Sequence, residues 1–250
     1  MIELTHITKT FNRNTAIETK ALQDINLHIH SGQFVVIVGP NGSGKSTLLN
    51  AIAGSISIDS GKIMIGENDV TGMKDFQRSK WIARIFQNPL LGTAPELSIL
   101  ENFRLASLRT QTKKLIIGTN AKFRKRVRDK ISILNLGLEN KPDQLMGTLS
   151  GGQRQALTLL MAVMDETRIL LMDEPAAALD PKTSDLLMKL AEKIVRDFQL
   201  TGILITHHLK YALTYGDRLI LMQHGQISKD ADRNEKEKLN LHDLNAWFEV

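Results

Sequence analysis

The sequence predicts an α/β fold with a largely parallel core sheet, an antiparallel β layer in front of it, and an inserted helical subdomain. Three observations lead there. Apolar runs of strand length at 34–38, 82–86, 169–172, 202–206 and 218–222 are mostly continuous rather than alternating, as in strands buried on both faces. Helical patterns at 45–53, 98–108, 122–136, 152–164, 181–198 and 209–215 lie between them, as in βαβ units. Further strand-like runs at 2–7, 25–29 and 62–65 come close together, with short turns expected at 30–33 ("HSGQ") and 59–62 ("DSGK"), and these suit an antiparallel layer. Between Phe86 and Ile169 the patterns are helical, with no convincing strand. The expected division is a core of residues 1–87 and 149–230, a helical subdomain at 88–148, and a C-terminal tail at 231–250, all within one domain.

Composition narrows the class. Apolar residues make up 42% and charged residues 24%, the balance of a globular chain in water. No apolar run approaches the roughly 20 residues that span a bilayer. The start, "MIELTHITKTF", lacks the basic and apolar regions of a signal peptide, so a cytoplasmic location is expected. The absence of cysteine excludes disulfides and thiolate metal sites. A net charge of +5 permits an anionic neighbour without requiring one.

The chemistry begins at "GPNGSGKST", directly after the apolar run "FVVIV". It fits G-x-x-x-x-G-K-[ST] at Gly39, Gly44, Lys45 and Ser46, with Pro40, Asn41, Gly42, Ser43 and Thr47 completing the stretch. Glycines let the chain turn so that N–H groups face phosphate oxygens, and the helix expected from Lys45 adds its positive end. Lys45 is expected to reach the β- and γ-phosphates and Ser46 to ligate Mg²⁺. With this loop after a buried strand, the expected core resembles the P-loop NTPase, RecA-like fold. A second element, "RILLMDEP" at 168–175, delivers Asp173 and Glu174 from a buried strand. Asp173 is the expected Mg²⁺ partner and Glu174 the expected base for water. Alone, the pair could equally cap a strand before Pro175; beside a phosphate loop, chemistry is the better account. The third, "LSGGQRQ" at 149–155, puts Ser150 at a helix N-cap and makes a second anion-binding helix end. An ordinary capped helix accounts for Ser150, but not for Gly151 and Gly152 where helix propensity is poorest.

In this order and spacing, "GPNGSGKST", "LSGGQRQ" and "ILLMDEP" resemble the Walker A, signature and Walker B motifs of ABC transporter ATPase subunits. The resemblance runs from about residue 2 to about residue 228. It implies further positions, and the sequence offers a residue for each. Gln87 in "IFQNP" would sense Mg²⁺ and the attacking water. Phe11 in "KTFNR" would stack on adenine, a plain core phenylalanine being the alternative. Asp180 in "ALDP" would form the D-loop, and His207 in "LITHH" would be the switch histidine, with His208 a solvated or loop-packing neighbour. The resemblance also implies a dimer, a homodimer or a paired ATPase subunit, sandwiching two ATP. Each ATP would lie between one chain's Walker A and the other's Ser150, Gly151, Gly152 and Gln153. ATP and Mg²⁺ are the implied cofactors, and the implied reaction is ATP hydrolysis.

A single ATPase domain without membrane spans is similar to the importers whose permease is a separate polypeptide. It implies an integral membrane permease as partner and a peripheral position on the inner face of the membrane. Departures such as "ALTLLMAVM" after the signature are similar to ATPases of importers for tryptophan, tyrosine or like solutes, which work with a solute-binding protein. Lipoprotein-release or efflux ATPases and soluble ATPases of cofactor assembly stand as alternatives. The basic run "KFRKRVRDK" at 122–130 places Phe123, Val127, Ile131 and Leu134 on one helical face. A solvated face explains its cations, anionic headgroups are the sharper alternative, and no direct nucleic-acid partner is expected because aromatic residues are nearly absent from it.

Overall fold

A computed structural model of the chain describes residues 1–108 and 118–248. The parts of the expected helical subdomain at 109–117 and of the tail at 249–250 lie outside the described residues. Strands β1 (Ile2–Phe11), β2 (Thr19–Ile29), β4 (Ser60–Ile65) and β5 (Asn68–Asp69) form an antiparallel sheet in the order β2-β1-β4-β5. A second sheet holds β3 (Phe34–Val38), β6 (Ile82–Ile85), β7 (Ile169–Asp173), β8 (Thr201–Ile205), β9 (Arg218–Gln223) and β10 (Gln226–Ala231). Its order is β10-β9-β3-β8-β7-β6, parallel throughout except for the β9–β10 hairpin.

The continuous apolar runs are explained by two cores, one on each face of this second sheet. In β3, Phe34, Val36 and Val38 face the helical layer, while Val35 and Ile37 face the antiparallel sheet and α1 (Lys45–Ala53). The same split divides Leu170 and Met172 from Ile169 and Leu171 in β7. Alternation is present in the packing but invisible in the sequence, because both faces are apolar.

Four differences from the sequence expectation have local causes. The turn at 30–33 joins the two sheets instead of closing a hairpin, since β2 and β3 belong to different sheets. The stretch 59–62 is mostly strand, because β4 already starts at Ser60 and pairs with β1. Strands β1 and β2 run on to Phe11 and back to Thr19 through polar residues that pair with each other. Finally, β10 is an exposed edge strand of which only Ala231 is fully buried, so it carries almost no hydrophobic pattern.

The expected helices are present as α1, α3 (Ile99–Ala106), α4 (Ala121–Ile131), α5 (Gly151–Ala162), α6 (Pro181–Asp197) and α7 (Leu209–Thr214); a short α2 (Asp75–Arg78) was not anticipated. In α4 Phe123, Val127 and Ile131 are buried as expected, but the helix stops at Ile131, short of the expected 136, and Leu134 lies in a 3-10 turn, only partly buried against the same core. The cations of α4 are more than a solvated face. Arg126 Nη2 donates to Met164 O at 2.9 Å and Lys130 Nζ to Val163 O at 2.7 Å, satisfying carbonyls at the end of α5. Burial pushes the Lys130 ammonium down to about 8. Arg124 grips Asp143 with both terminal nitrogens, at 2.7 and 2.9 Å. Lys122, Lys125 and Arg128 stay exposed.

The terminal segment folds onto this body through α8 (Arg233–Lys236) and α9 (Leu241–Ala246). Leu244 is fully buried, Trp247 and Phe248 pack on the helical core, and Gln223 Nε2 donates to Trp247 O at 3.3 Å. Among the described residues no helix is long and apolar enough to cross a membrane. Truncating Leu244 to Ala is expected to cost about 2–5 kcal/mol of unfolding free energy, the range for deleting a buried leucine side chain. Urea denaturation checks it, and an unchanged midpoint would show that the segment is not part of the core.

Candidate functional site

The sheet order decides which loops meet. Strands β3, β8, β7 and β6 are parallel neighbours, so their C-terminal ends share one edge. From that edge emerge the loop 39–44, then Thr206 and His207, then Glu174, then Gln87. Ligands of open α/β sheets bind along such an edge.

The loop after β3 is shaped by glycines with positive φ at 39, 42 and 44. Gly44 shows why: its φ is 99°, and a Cβ there would stand 2.3 Å from Ala21 O. Gly44 is also the N-cap of α1, with no side chain closing the helix end and no acidic residue in its first turn. The first-turn N–H groups and the dipole are therefore presented to whatever enters the loop. Lys45 is buried and turned onto the loop itself, donating to Gly39 O at 2.8 Å and Pro40 O at 2.9 Å. Burial pushes its ammonium below the usual lysine range, opposed by the charges of Glu174 and Asp173.

A cavity of about 270 Å³ joins residues 41–47 to Phe11, Thr19, Glu174 and His207. Phe11 is 37% exposed and lines this cavity, with Lys9 Nζ 5.3 Å from its ring, which does not fit the plain core alternative. Its place follows from the unexpected length of β1.

At the end of β7, the Ser46 hydroxyl donates to Asp173 Oδ1 at 3.2 Å. Burial lifts the Asp173 carboxyl above its ordinary value, opposed by the Ser46 hydrogen bond and by Arg84, Lys45 and His207. Glu174 occupies the left-handed region at φ 47°, a conformation that costs a non-glycine residue about 1–3 kcal/mol and clusters at functional sites. Its amide donates to Ile205 O at 3.0 Å, and its Oε1 meets His207 Nε2. His208 is exposed, its ring 5.1 Å from that of Tyr211, a loop-packing place as expected.

Gln87 does not line the loop cavity. It faces a separate cleft of about 960 Å³ shared with Asp173 and Arg84. Arg84 escaped the sequence reading, although a lone arginine in the strand run "IARIF" was a visible signal. Its guanidinium lies 4.7 Å from the Phe86 ring and donates to Ser55 Oγ and Asn50 Oδ1 at 2.9 and 2.8 Å.

The signature residues stand apart from the loop cavity in this chain. Ser150 caps α5 by accepting from Gln153 N at 3.3 Å, and Gln153 Oε1 accepts from Ser150 N at 3.1 Å. Gly152 has a packing reason that propensity could not reveal. A Cβ there would lie 2.2 Å from Thr183 Cγ2, so glycine lets α5 approach the start of α6. Asp180 caps α6, accepting from Thr183 N at 3.1 Å. Ser150, Gly152 and Gln153 line a groove with Thr183 and Leu186, and Ser150 is exposed.

A divalent ion can be tested against these groups. Ser46, Asp173 and Gln87 offer a hydroxyl, a carboxylate and an amide oxygen, the hard donors that suit Mg²⁺. Among the described residues no three His, Cys, Asp or Glu side chains cluster as ligands. The donor set therefore fits a magnesium ion that takes its other ligands from phosphate and water, as is usual for that ion.

Known proteins point the same way. The sequence profile described as ABC transporter matches residues 22–177. A tyrosine transport ATP-binding protein of Clostridioides difficile is 37% identical, covering 100% of this chain and 99% of its own length. A phosphonates import ATP-binding protein of Lactococcus lactis is 34% identical over 95% of this chain and 96% of its own. Among solved structures, a dimeric ATP-binding cassette in a post-hydrolysis state with ADP and Pi superposes with a TM-score of 0.80. It is 30% identical, and the match covers 93% of this chain and 99% of that one. A match that starts inside β2, passes through the phosphate loop and α5 and ends just beyond Glu174 leaves one assignment: the chain belongs to the ABC transporter family, as one of its ATP-hydrolysing cassettes.

Proposed function

We propose that this cassette drives a separate membrane permease that imports a small amino-acid-like solute, and that it does so as a dimer closed around two ATP. The observation that carries the hydrolytic part is Glu174, held in a left-handed conformation at the sheet edge, paired with His207 and opening on the cavity of the phosphate loop. The solute class rests on the full-length similarity to a tyrosine transport ATP-binding protein.

In this reading ATP lies along residues 39–47, its adenine on Phe11. Lys45 leaves the carbonyls of Gly39 and Pro40 for the β- and γ-phosphates, exchanging neutral acceptors for charged ones, which make stronger hydrogen bonds. Ser46, Asp173 and Gln87 would hold Mg²⁺, which when bound neutralises charge building on the β- and γ-phosphate oxygens. Glu174 takes the proton of the attacking water, and His207 keeps that carboxylate oriented. The α5 terminus of a second copy, with Ser150, Gly151, Gly152 and Gln153, closes over the γ-phosphate and adds N–H donors there. Asp180 lies at the same face through its cap on α6. The helical subdomain, 88–148, passes the closure to a permease at the inner face of the membrane. A solute-binding protein completes the system.

Replacing Glu174 with Gln is expected to leave ATP affinity unchanged, keep the ATP-dependent dimer, and lower kcat by about 10²-fold or more, the usual loss of a general base. Sedimentation with ATP together with a phosphate-release assay checks both halves; normal turnover would remove Glu174 from the role. Replacing Ser46 with Ala is expected to raise the Mg²⁺ concentration needed for half-maximal turnover, because one hard oxygen donor is lost. An unshifted magnesium titration would speak against Ser46 as a ligand. For the solute, the cassette reconstituted with its permease and solute-binding protein is expected to hydrolyse ATP faster with tyrosine or tryptophan than without. No stimulation by either would remove the aromatic solute class, and no co-purification with a multispan membrane protein would favour a soluble role in cofactor assembly.

A further inference from the structure

Gln155 ends the stretch "LSGGQRQ" and takes no part in the site as described above. Its side chain is 1% exposed, one turn into α5 from Ser150. Its Nε2 donates to Phe86 O at 2.7 Å and to Pro175 O at 3.1 Å. The first carbonyl immediately precedes Gln87, and the second immediately follows Glu174. A carboxamide nitrogen carries two hydrogens, so both donors are committed, one to the loop after β6 and one to the loop after β7. The preceding residue holds the chain just before the helix. Arg154 Nη2 donates to Gly147 O and Leu149 O, both at 3.1 Å, fixing the approach to Ser150. Two adjacent side chains of α5 thus hold three loops: the one before Gln87, the one after Glu174 and the one that leads into Ser150.

We propose that Gln155 is a positioning residue for ATP hydrolysis, tying the signature helix to the Gln87 and Glu174 loops so that the three move as one. The proposal rests on the roles given to Gln87 and Glu174 above. Gln155 does not line the phosphate-loop cavity, so its influence falls on the alignment of water and base and not on nucleotide affinity. Misplacement of catalytic groups by about 1 Å can cost about 10²-fold in rate. The Pro175 carbonyl, buried and deprived of its donor, has no water to turn to, so its loop shifts to find another partner, and the half-buried Phe86 carbonyl loses its fixed place beside Gln87.

The test uses the full chain with two substitutions. Gln155→Met keeps the length of the side chain and removes both donors; Gln155→Asn keeps the donors on a stem one methylene shorter. Gln155→Met is expected to lower kcat by about 10- to 100-fold with the KM for ATP unchanged. In a Glu174→Gln background it is expected to add less than its full loss to the residual rate, because one of the two groups it aligns is gone. A wild-type kcat in Gln155→Met overturns the proposal. So does a KM that rises in step with the loss of kcat, or a loss that multiplies fully with that of Glu174→Gln, since either marks general damage to the fold. If Gln155→Met does not fold, Gln155→Asn carries the same comparison of kcat with KM. Normal turnover in Glu174→Gln alone would refute the general base, and the Gln155→Met rate would still decide this proposal separately.

Discussion

Everything in the site depends on the parallel register of four neighbouring strands. Ile37 pairs with Ile205 and Asp173 also pairs with Ile205, so β3 and β7 end within one residue of each other across β8. That register brings Ser46 within 3.2 Å of Asp173, though 127 positions separate them in the chain. A slip of one residue in any of these strands would turn its side chains to the other face and exchange its two sets of core contacts. Because both faces are apolar and packed, such a slip is opposed on both sides, and the edge is fixed by two cores at once.

Charge then organises the edge. The open end of α1 and the Lys45 ammonium supply positive potential; Asp173 and Glu174, brought in by the end of β7, supply negative charge beside them. In the structure Lys45 rests on the carbonyls of its own loop, a neutral resting place that it can leave for phosphate oxygens. Asp173, whose charged form is disfavoured by burial, is a carboxylate that gains from a cation. The left-handed backbone at Glu174 turns its carboxylate toward His207. The second helix end, at Ser150, is closed on itself by its capping box and does not line this cavity.

Most of the edge was legible in the sequence because its loops follow continuous apolar strands, and those strands are buried on both faces. The phosphate loop, Asp173, Glu174 and His207 fall where the apolar runs stop. What stayed hidden depends on pairing or packing that has no local pattern. Strand β10, "QISKDA", is polar because it lies at the sheet edge, and only its pairing with β9 makes it a strand. The polar extension of β1 that carries Phe11 to the cavity is set by β2 in the same way. Gly152 looks like a poor helix residue until Thr183 is seen against it. Gln155 and Arg84 are polar residues whose partners come from a helix or loops elsewhere in the chain, Phe86 and Pro175 for one, Asn50 and Ser55 for the other.

The central claim is that the hydrolytic site is assembled from two copies of the chain, a sheet edge from one and a capped helix end from the other. A crystal structure of the Glu174→Gln chain with ATP and Mg²⁺ tests it most directly. The account predicts a dimer in which each γ-phosphate lies between Lys45 of one copy and the Ser150 hydroxyl and first-turn N–H groups of α5 in the other, within hydrogen-bonding distance of both. ATP fully bound in a monomer, or a dimer in which Ser150 faces solvent away from the nucleotide, would contradict it.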